Sequence, residues 1–201
     1  MEVFDLYEKA GYEIYLVGGG VRNLLVNKVP ENCDLTTNAT PEQSLEVLEV
    51  KLPFYNNDFG TVSFNIETDG KKELYEITTY RSEKEYSDHR RPDNVSWGKT
   101  LEEDVVRRDF TVNAMVIGRK NQKFEKSKTQ NTEWELIDLV GGMDDFEKGV
   151  IRAVGEPRTR FNEDALRMMR AIRFASRLGF QIEMETLKAI SEKAELLEKI
   201  S

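Results

Sequence analysis

Residues 15–34 read YLVGGGVRNLLVNKVPENCD, and the fold turns on this stretch. An apolar strand ends in Gly18, Gly19 and Gly20, a short helix begins at Arg22, and the acidic Asp34 follows after one more loop. Glycines let the backbone turn tightly and approach a ligand, and the free N–H groups at the start of a helix attract anions. The stretch therefore predicts a phosphate-binding turn. It is neither of two familiar phosphate loops, because the glycines lack the G-x-G-x-x-G spacing and no Gly-Lys-Ser/Thr ending follows. The competing reading is a glycine-rich turn that binds nothing.

Outward from this stretch, Val3, Leu6, Tyr7 and Ala10 fall on one helical stripe that Gly11 stops. Strands are predicted near 13–17, 33–37, 60–66 and 73–80, with Asp69-Gly70 as a hairpin turn between the last two. Thr40, Pro41 and Gln43 form a helix start with a capping box. Residues 82–99 are charged, carry Pro92 and Gly98, and predict a long loop. Thr100 and Glu103 predict a second capping box, and the polar stretch 120–133 reads as a surface insertion. From Glu163 the pattern is helical, with Gly179 closing one helix and another predicted from about Met184 to Ile200.

Composition narrows the function classes. At 201 residues with 39% hydrophobic residues the chain can bury an ordinary core. No run approaches a membrane span and the N-terminus lacks a signal-peptide pattern, so a cytoplasmic protein without a membrane partner is expected. Cys33 is single, which leaves no disulfide partner and no thiolate zinc site, and His89 is the only histidine. A net charge of −8 argues against broad nucleic-acid binding. Residues 151–180 depart from that average, with seven arginines against three acids, a net +4 that marks a local anion site.

Five segments together resemble one family. The opening stretch matches the G-G-x-V-R-D motif of the nucleotidyltransferase superfamily, in the branch of bacterial-type CCA-adding enzymes and bacterial poly(A) polymerases, at Gly18, Gly19, Val21 and Arg22. Residues 35–41 (LTTNATP) continue in the same style. Residues 76–81 (EITTYR) resemble the strand of a third carboxylate, and 107–114 (RRDFTVNA) resemble a second motif. Asp138, Gly141, Gly142 and Asp145 resemble a third, and 163–167 (EDALR) a fourth. Two positions depart: Asn23 stands for an Asp, and Asn32-Cys33-Asp34 stands for Asp-x-Asp. The resemblance implies an α+β fold, with a nucleotidyltransferase-like head of mixed sheet and flanking helices over 1–150 and an all-helical neck over 151–201. Known members continue into body and tail regions. The family's loop corresponding to 82–99 is flexible and helps the switch from adding C to adding A.

The resemblance also implies chemistry. Transfer of a nucleotide to an RNA 3′-OH displaces pyrophosphate, commonly with two Mg²⁺ ions held by carboxylates on one strand face. Residues i and i+2 of a strand share a side, so Asn32 and Asp34 are the expected metal ligands, one a neutral amide; Glu31 points the other way. Glu76 joins them if its strand lies alongside. Gly19 and Arg22 are expected at the triphosphate. Asp164 and Arg167 are the implied base readers: a carboxylate accepting from an exocyclic amine and a guanidinium donating to a ring nitrogen accept cytosine and adenine and reject uracil and guanine. Arg108, Arg170 and Arg173 are expected at phosphates and ribose, and Asp109 and Asn113 in bracing the turn.

With Asp164 at zero and 100° per residue, Arg173, Arg177, Arg170 and Arg167 fall at about 180°, 220°, 240° and 300°, while Met168, Ile172, Ala165, Ser176 and Met169 fall between about 40° and 140°. One packed face is expected, with Met168 and Met169 in the core. The adjoining face is arginine without acids at i±4. The implied protein is a CCA-adding tRNA nucleotidyltransferase acting on the tRNA 3′ end with CTP and ATP. A poly(A) polymerase shares all five motifs, and Asn23 and Asn32 leave open a homologue that binds nucleotide or RNA without reacting it.

Overall fold

The computed structural model describes residues 2–30, 32–49, 54–56, 60–68, 71–84, 89–90, 94–120 and 133–200. In chain order the strands are β1 (Ile14–Val17), β2 (Asn32–Thr37), β3 (Phe54–Asn56), β4 (Thr61–Thr68), β5 (Lys71–Thr79), β6 (Arg81–Lys84), β7 (Asn94–Trp97), β8 (Val116–Arg119), β9 (Trp134–Ile137), β10 (Val150–Ile151) and β11 (Gln181–Ile182). The helices are α1 (Glu2–Lys9), α2 (Gly19–Leu25), α3 (Pro41–Leu48), α4 (Leu101–Val106), α5 (Gly142–Lys148), α6 (Pro157–Glu163), α7 (Leu166–Leu178) and α8 (Met184–Lys193). The class is α+β. Two compact units form: Met1–Arg81 with Trp97–Asp104 and Val116–Ile137, and Ser82–Ser96 with Val105–Met115 and Asp138–Ser201. These units interleave along the chain.

The first unit holds a seven-stranded sheet in the order β3-β4-β5-β2-β1-β8-β9. Only the pairing of β2 with β5 is parallel, so the sheet is mixed among the described residues. β1 is an interior strand, between β2 and β8, and all four of its residues are buried. A strand covered on both faces needs a continuous apolar run, which Ile14-Tyr15-Leu16-Val17 supplies. The capping box before α3 forms: the Thr40 hydroxyl accepts from the Gln43 N–H, and Gln43 Oε1 accepts from the Thr40 N–H. Buried threonines in the core are satisfied, as where Thr79 Oγ1 donates to the Ala39 carbonyl at 2.8 Å.

The second unit has two apolar clusters. Phe110, Val112 and Ile151 pack with Ala171 and Phe174, and Phe161, Ala165 and Met168 pack with Ala189 and Leu196. Asp138 accepts N–H bonds from Val140, Gly142 and Met143 at 3.2, 2.9 and 2.9 Å, which caps the start of α5. Gly142 sits so near the 3-10 turn Thr111–Asn113 that an added Cβ would lie 2.2 Å from the Thr111 carbonyl oxygen.

Several expectations change. The 82–99 stretch contains β6 and β7, which pair as a two-stranded sheet. Ladder hydrogen bonds there come from the backbone, so the charged side chains gave no apolar alternation to read. The second capping box half-forms: the Thr100 hydroxyl accepts from the Glu103 N–H at 3.4 Å, while the Glu103 carboxylate takes the Lys99 N–H at 2.7 Å in place of the Thr100 N–H. The last predicted helix is α8 followed by a tighter 3-10 segment, Ala194–Lys199. The expected helical stretch also carries β11, parallel to β10. Asp69 and Gly70 lie outside the described residues, although the flanking register pairs Thr68 with Lys71. Residues 121–132 of the expected insertion also lie outside them. Among the described residues no helix is long and apolar enough to cross a membrane.

Gly142→Ala should destabilise the chain by about 3 kcal/mol, because the clashing atom is backbone that cannot swing aside. Gly155→Ala meets nothing within 4 Å but has φ +72°, so it carries only the left-handed backbone cost of about 1 kcal/mol. Urea midpoints for the two variants should fall in that order.

Candidate active site

In the first unit, β1 delivers the chain into Gly18, whose φ of 70° is a left-handed conformation that favours glycine. A Cβ there would lie 3.6 Å from Asp34 Oδ2, so the glycine turn runs beside that carboxylate. Gly20 is needed for a different reason: a Cβ would come within 2.9 Å of Leu16 Cδ1, which lets α2 lie close on its strand. Gly19 opens α2, and a Cβ there would lie 3.7 Å from Arg22 Nη2, an ordinary contact. Gly19 and Arg22 are thus local neighbours at the turn.

Asp34 is half-buried on β2 and pairs in register with Glu76 on β5. Directly paired residues project to one face of a sheet, so the two carboxylates stand side by side. Glu76 Oε1 accepts from Ser63 Oγ at 3.3 Å, the residue opposite it on β4. Asn32, two residues before Asp34, shares that face and is exposed at the strand's start. Two residues after Asp34, the Thr36 hydroxyl donates to Asp104 Oδ2 at 3.1 Å. Asp104 is fully buried and also accepts from the Arg81 N–H at 3.3 Å. Sequence reasoning missed it, because it sits in the run Glu102-Glu103-Asp104 that reads as a solvated helix start.

The second unit gathers the other charged candidates. Asp109 is an anchor: it accepts from its neighbour Phe110 N–H at 2.8 Å and from Asn113 Nδ2 at 2.9 Å, which is the expected bracing of the turn. It also binds Arg170 through Nε at 2.7 Å and Nη2 at 2.6 Å. Arg170 is therefore already neutralised by a two-point contact, while Arg173 is exposed and lies 5.2 Å over the Phe174 ring. Arg108 is half-buried just before Asp109.

Asp164 and Arg167 do not lie on one continuous helix. α6 ends at Glu163, Asp164 is extended (φ −136°, ψ 102°), and α7 starts at Leu166. Asp164 Oδ1 accepts from the Leu166 N–H at 2.9 Å, and burial pushes its carboxyl up, opposed by that N–H and by Arg167 and Arg170. The Arg167 guanidinium donates to Glu163 Oε2 at 3.0 Å and to the Arg107 carbonyl at 3.2 Å, with Nε 4.0 Å from Asp164 Oδ2. The break is tied down by His89, whose carbonyl accepts from the Ala165 N–H at 2.8 Å and whose Nδ1 bonds the Asn162 carbonyl at 2.7 Å.

This geometry corrects the expected arginine face. Arg167 is only 7% exposed and has an acid at i−4, Glu163, that the angular reading overlooked. The buried side of α7 is Arg167, Met168, Ala171 and Phe174, whereas Met169 is 49% exposed and Ile172 48%. On the same angular count the buried residues form one stripe from Phe174 through Arg167 and Ala171 to Met168, so the packed face lies to one side of the apolar Met169 and Ile172.

The Poly A polymerase head domain matches residues 14–152. The CCA-adding enzyme of Lactobacillus helveticus (strain DPC 4571) is 42% identical over all of this chain and 46% of its own length. A crystal structure of the Bacillus stearothermophilus CCA-adding enzyme in complex with CTP superposes with a TM-score of 0.78 at 35% identity, over 100% of this chain and 44% of that one. The Thermotoga maritima CCA-adding enzyme complexed with tRNA_CCA gives 0.73 at 27% identity, over 100% and 42%. The chain thus spans less than half the length of these relatives. With its paired acids, its glycine turn and a head-domain match over most of its length, the chain belongs to the poly A polymerase head-domain family, with CCA-adding enzymes among its relatives.

Proposed function

We propose that the chain is the nucleotide-transferring portion of a CCA-adding tRNA nucleotidyltransferase, joining CMP and AMP from CTP and ATP to a tRNA 3′ end in the cytoplasm without a nucleic-acid template. The observation that carries this reading is the registered pair Asp34 and Glu76 beside the Gly18 turn. The 1–150 head and 151–201 neck are part of the same proposal.

The donor set fits Mg²⁺ as a reduced site. Asp34 and Glu76 offer carboxylates on one face and Asn32 an amide oxygen, while no cluster of three acidic, histidine or cysteine ligands occurs among the described residues. Bound there, Mg²⁺ supplies charge neutralisation and a more acidic hydroxyl nucleophile. The chain's own groups do the rest. The N–H at Gly19 and the Arg22 guanidinium hold triphosphate oxygens, and Arg108 and Arg173 add positive charge. Arg170, held by Asp109, is a brace with a remaining face toward ribose or phosphate. The 3′-OH then attacks the α-phosphorus and pyrophosphate leaves.

Base selection falls to Asp164 and Arg167. Bonds to Glu163 and the Arg107 carbonyl fix the Arg167 guanidinium, so it need not be ordered by the base. Asp164 accepts from an exocyclic amine and Arg167 donates to the adjacent ring nitrogen. A carbonyl and N–H at those places would face like partners.

A second reading is favoured by Asn32. With a neutral group at that position the chain would bind nucleotide and RNA without turnover. A poly(A) polymerase is the third member of the set, separated by whether CTP is used at all.

The chain should bind CTP and ATP at least about tenfold more tightly than UTP and GTP, the scale of one unpaired buried polar group. Arg167→Ala should level the four affinities by calorimetry, and equal binding of all four by the unmodified chain would remove the base-reading assignment. In the full-length protein, Asn32→Asp should raise CMP transfer by about 10²–10³-fold, the scale of one key electrostatic group, with nucleotide affinity little changed. It should also tighten Mn²⁺ binding followed by paramagnetic resonance. No gain in either readout, with Asp34→Ala harmless as well, would move the metal site elsewhere.

A further inference from the structure

Side chains alternate along a strand, so Cys33, Leu35 and Tyr75 project opposite to Asp34 and Glu76. On that opposite face the first unit has a cavity of about 610 Å³, walled by Phe4, Leu16, Leu24, Leu35, Ile117 and Trp134. The size lies in the range of small-molecule sites. Phe4 and Trp134 meet edge to face with ring centres 4.9 Å apart, and Tyr75 stacks on Phe64 at 5.6 Å, so the aromatic walls are braced from behind.

The lining contains no lysine, arginine, aspartate or glutamate among the described residues. The side-chain polar atoms of its lining residues are the Cys33 thiol, the Trp134 indole N–H and the Tyr75 hydroxyl, which donates to Glu73 Oε2 at 3.4 Å. A charged ligand would lose its hydration here with nothing to replace it. A flat aromatic body fits the ring-lined walls, and a single polar group suffices for the adjacent thiol and hydroxyl.

We propose that this cavity is a binding site for a neutral, flat aromatic molecule carrying one hydrogen-bonding group. The proposal does not depend on the nucleotidyl-transfer reading. It matters for that reading because β2 and β5 form one wall of the cavity and carry Asp34 and Glu76 on their other side.

The test uses 2-naphthol and the 201-residue chain, with Cys33 as the sole thiol to alkylate. Calorimetry should show saturable one-site binding. At ten times its Kd, 2-naphthol should slow N-ethylmaleimide alkylation of Cys33 roughly tenfold, as occupancy requires. Leu24→Trp, at a position 42% exposed on the cavity wall, should weaken binding about tenfold or more with an unchanged melting transition. Val29→Trp, at a lining position 83% exposed, gives the same blockade by a second route. Absence of saturable binding, alkylation unaffected by the ligand, or wild-type affinity in both tryptophan variants would overturn the proposal.

Discussion

Parallel pairing of β2 with β5 is the constraint on which the first unit depends. The register runs unbroken from Asn32 with Leu74 to Thr37 with Thr79. Because side chains alternate with a period of two, a slip of one residue would set Tyr75 or Ile77 beside Asp34 and turn Glu76 toward the apolar cavity. Parallel neighbours cannot be joined by a tight turn, so the chain must travel through α3, β3 and β4 before β5 can lie alongside. The Thr40 capping box starts that crossover directly after β2. Asp104 secures the far end of the acidic face by receiving Thr36 and the Arg81 N–H, which keeps the end of β2 and the start of β6 in one hydrogen-bonded arrangement.

The second unit solves a different problem, which is how to hold guanidinium groups still. Burying Arg167 without partners would cost several kcal/mol, and its contacts with Glu163 and the Arg107 carbonyl offset that cost. Asp109 does for Arg170 what Glu163 does for Arg167, its Oδ2 accepting from Nε at 2.7 Å and lying 2.6 Å from Nη2. Rigid donors lose less freedom when a ligand arrives.

Elements set by local chemistry were legible in the sequence. The apolar run of β1, the glycines after it and the Thr40-Pro41-Gln43 start of α3 each have a short-range cause. The pairing partner of Asp34 was legible only as a condition, because register is a property of two strands and the sequence of one says nothing of its neighbour. β6 and β7 were missed because Arg81-Ser82-Glu83-Lys84 and Asn94-Val95-Ser96-Trp97 are too short and polar to stand out as strands in the sequence. The break at Asp164 was missed for a subtler reason. From Glu163 to Gly179 the sequence reads as one helix, and the extended conformation of Asp164 goes with a tertiary partner, the His89 carbonyl that takes the Ala165 N–H.

The interleaving of the two units bears on how this chain is made. Phe110 and Val112 belong to the same apolar cluster as Ile151, Ala171 and Phe174, so that cluster draws on segments some sixty residues apart in sequence. A fragment beginning at residue 151 would retain Arg167 and Arg170 but lose the two side chains around which α7 packs, along with Asp109. During synthesis the 105–115 segment leaves the ribosome long before α7 exists, and its phenylalanine and valine have no lasting place to go. Completion of this core must wait for α7 and α8, so the arginine framework cannot become ordered until they have emerged.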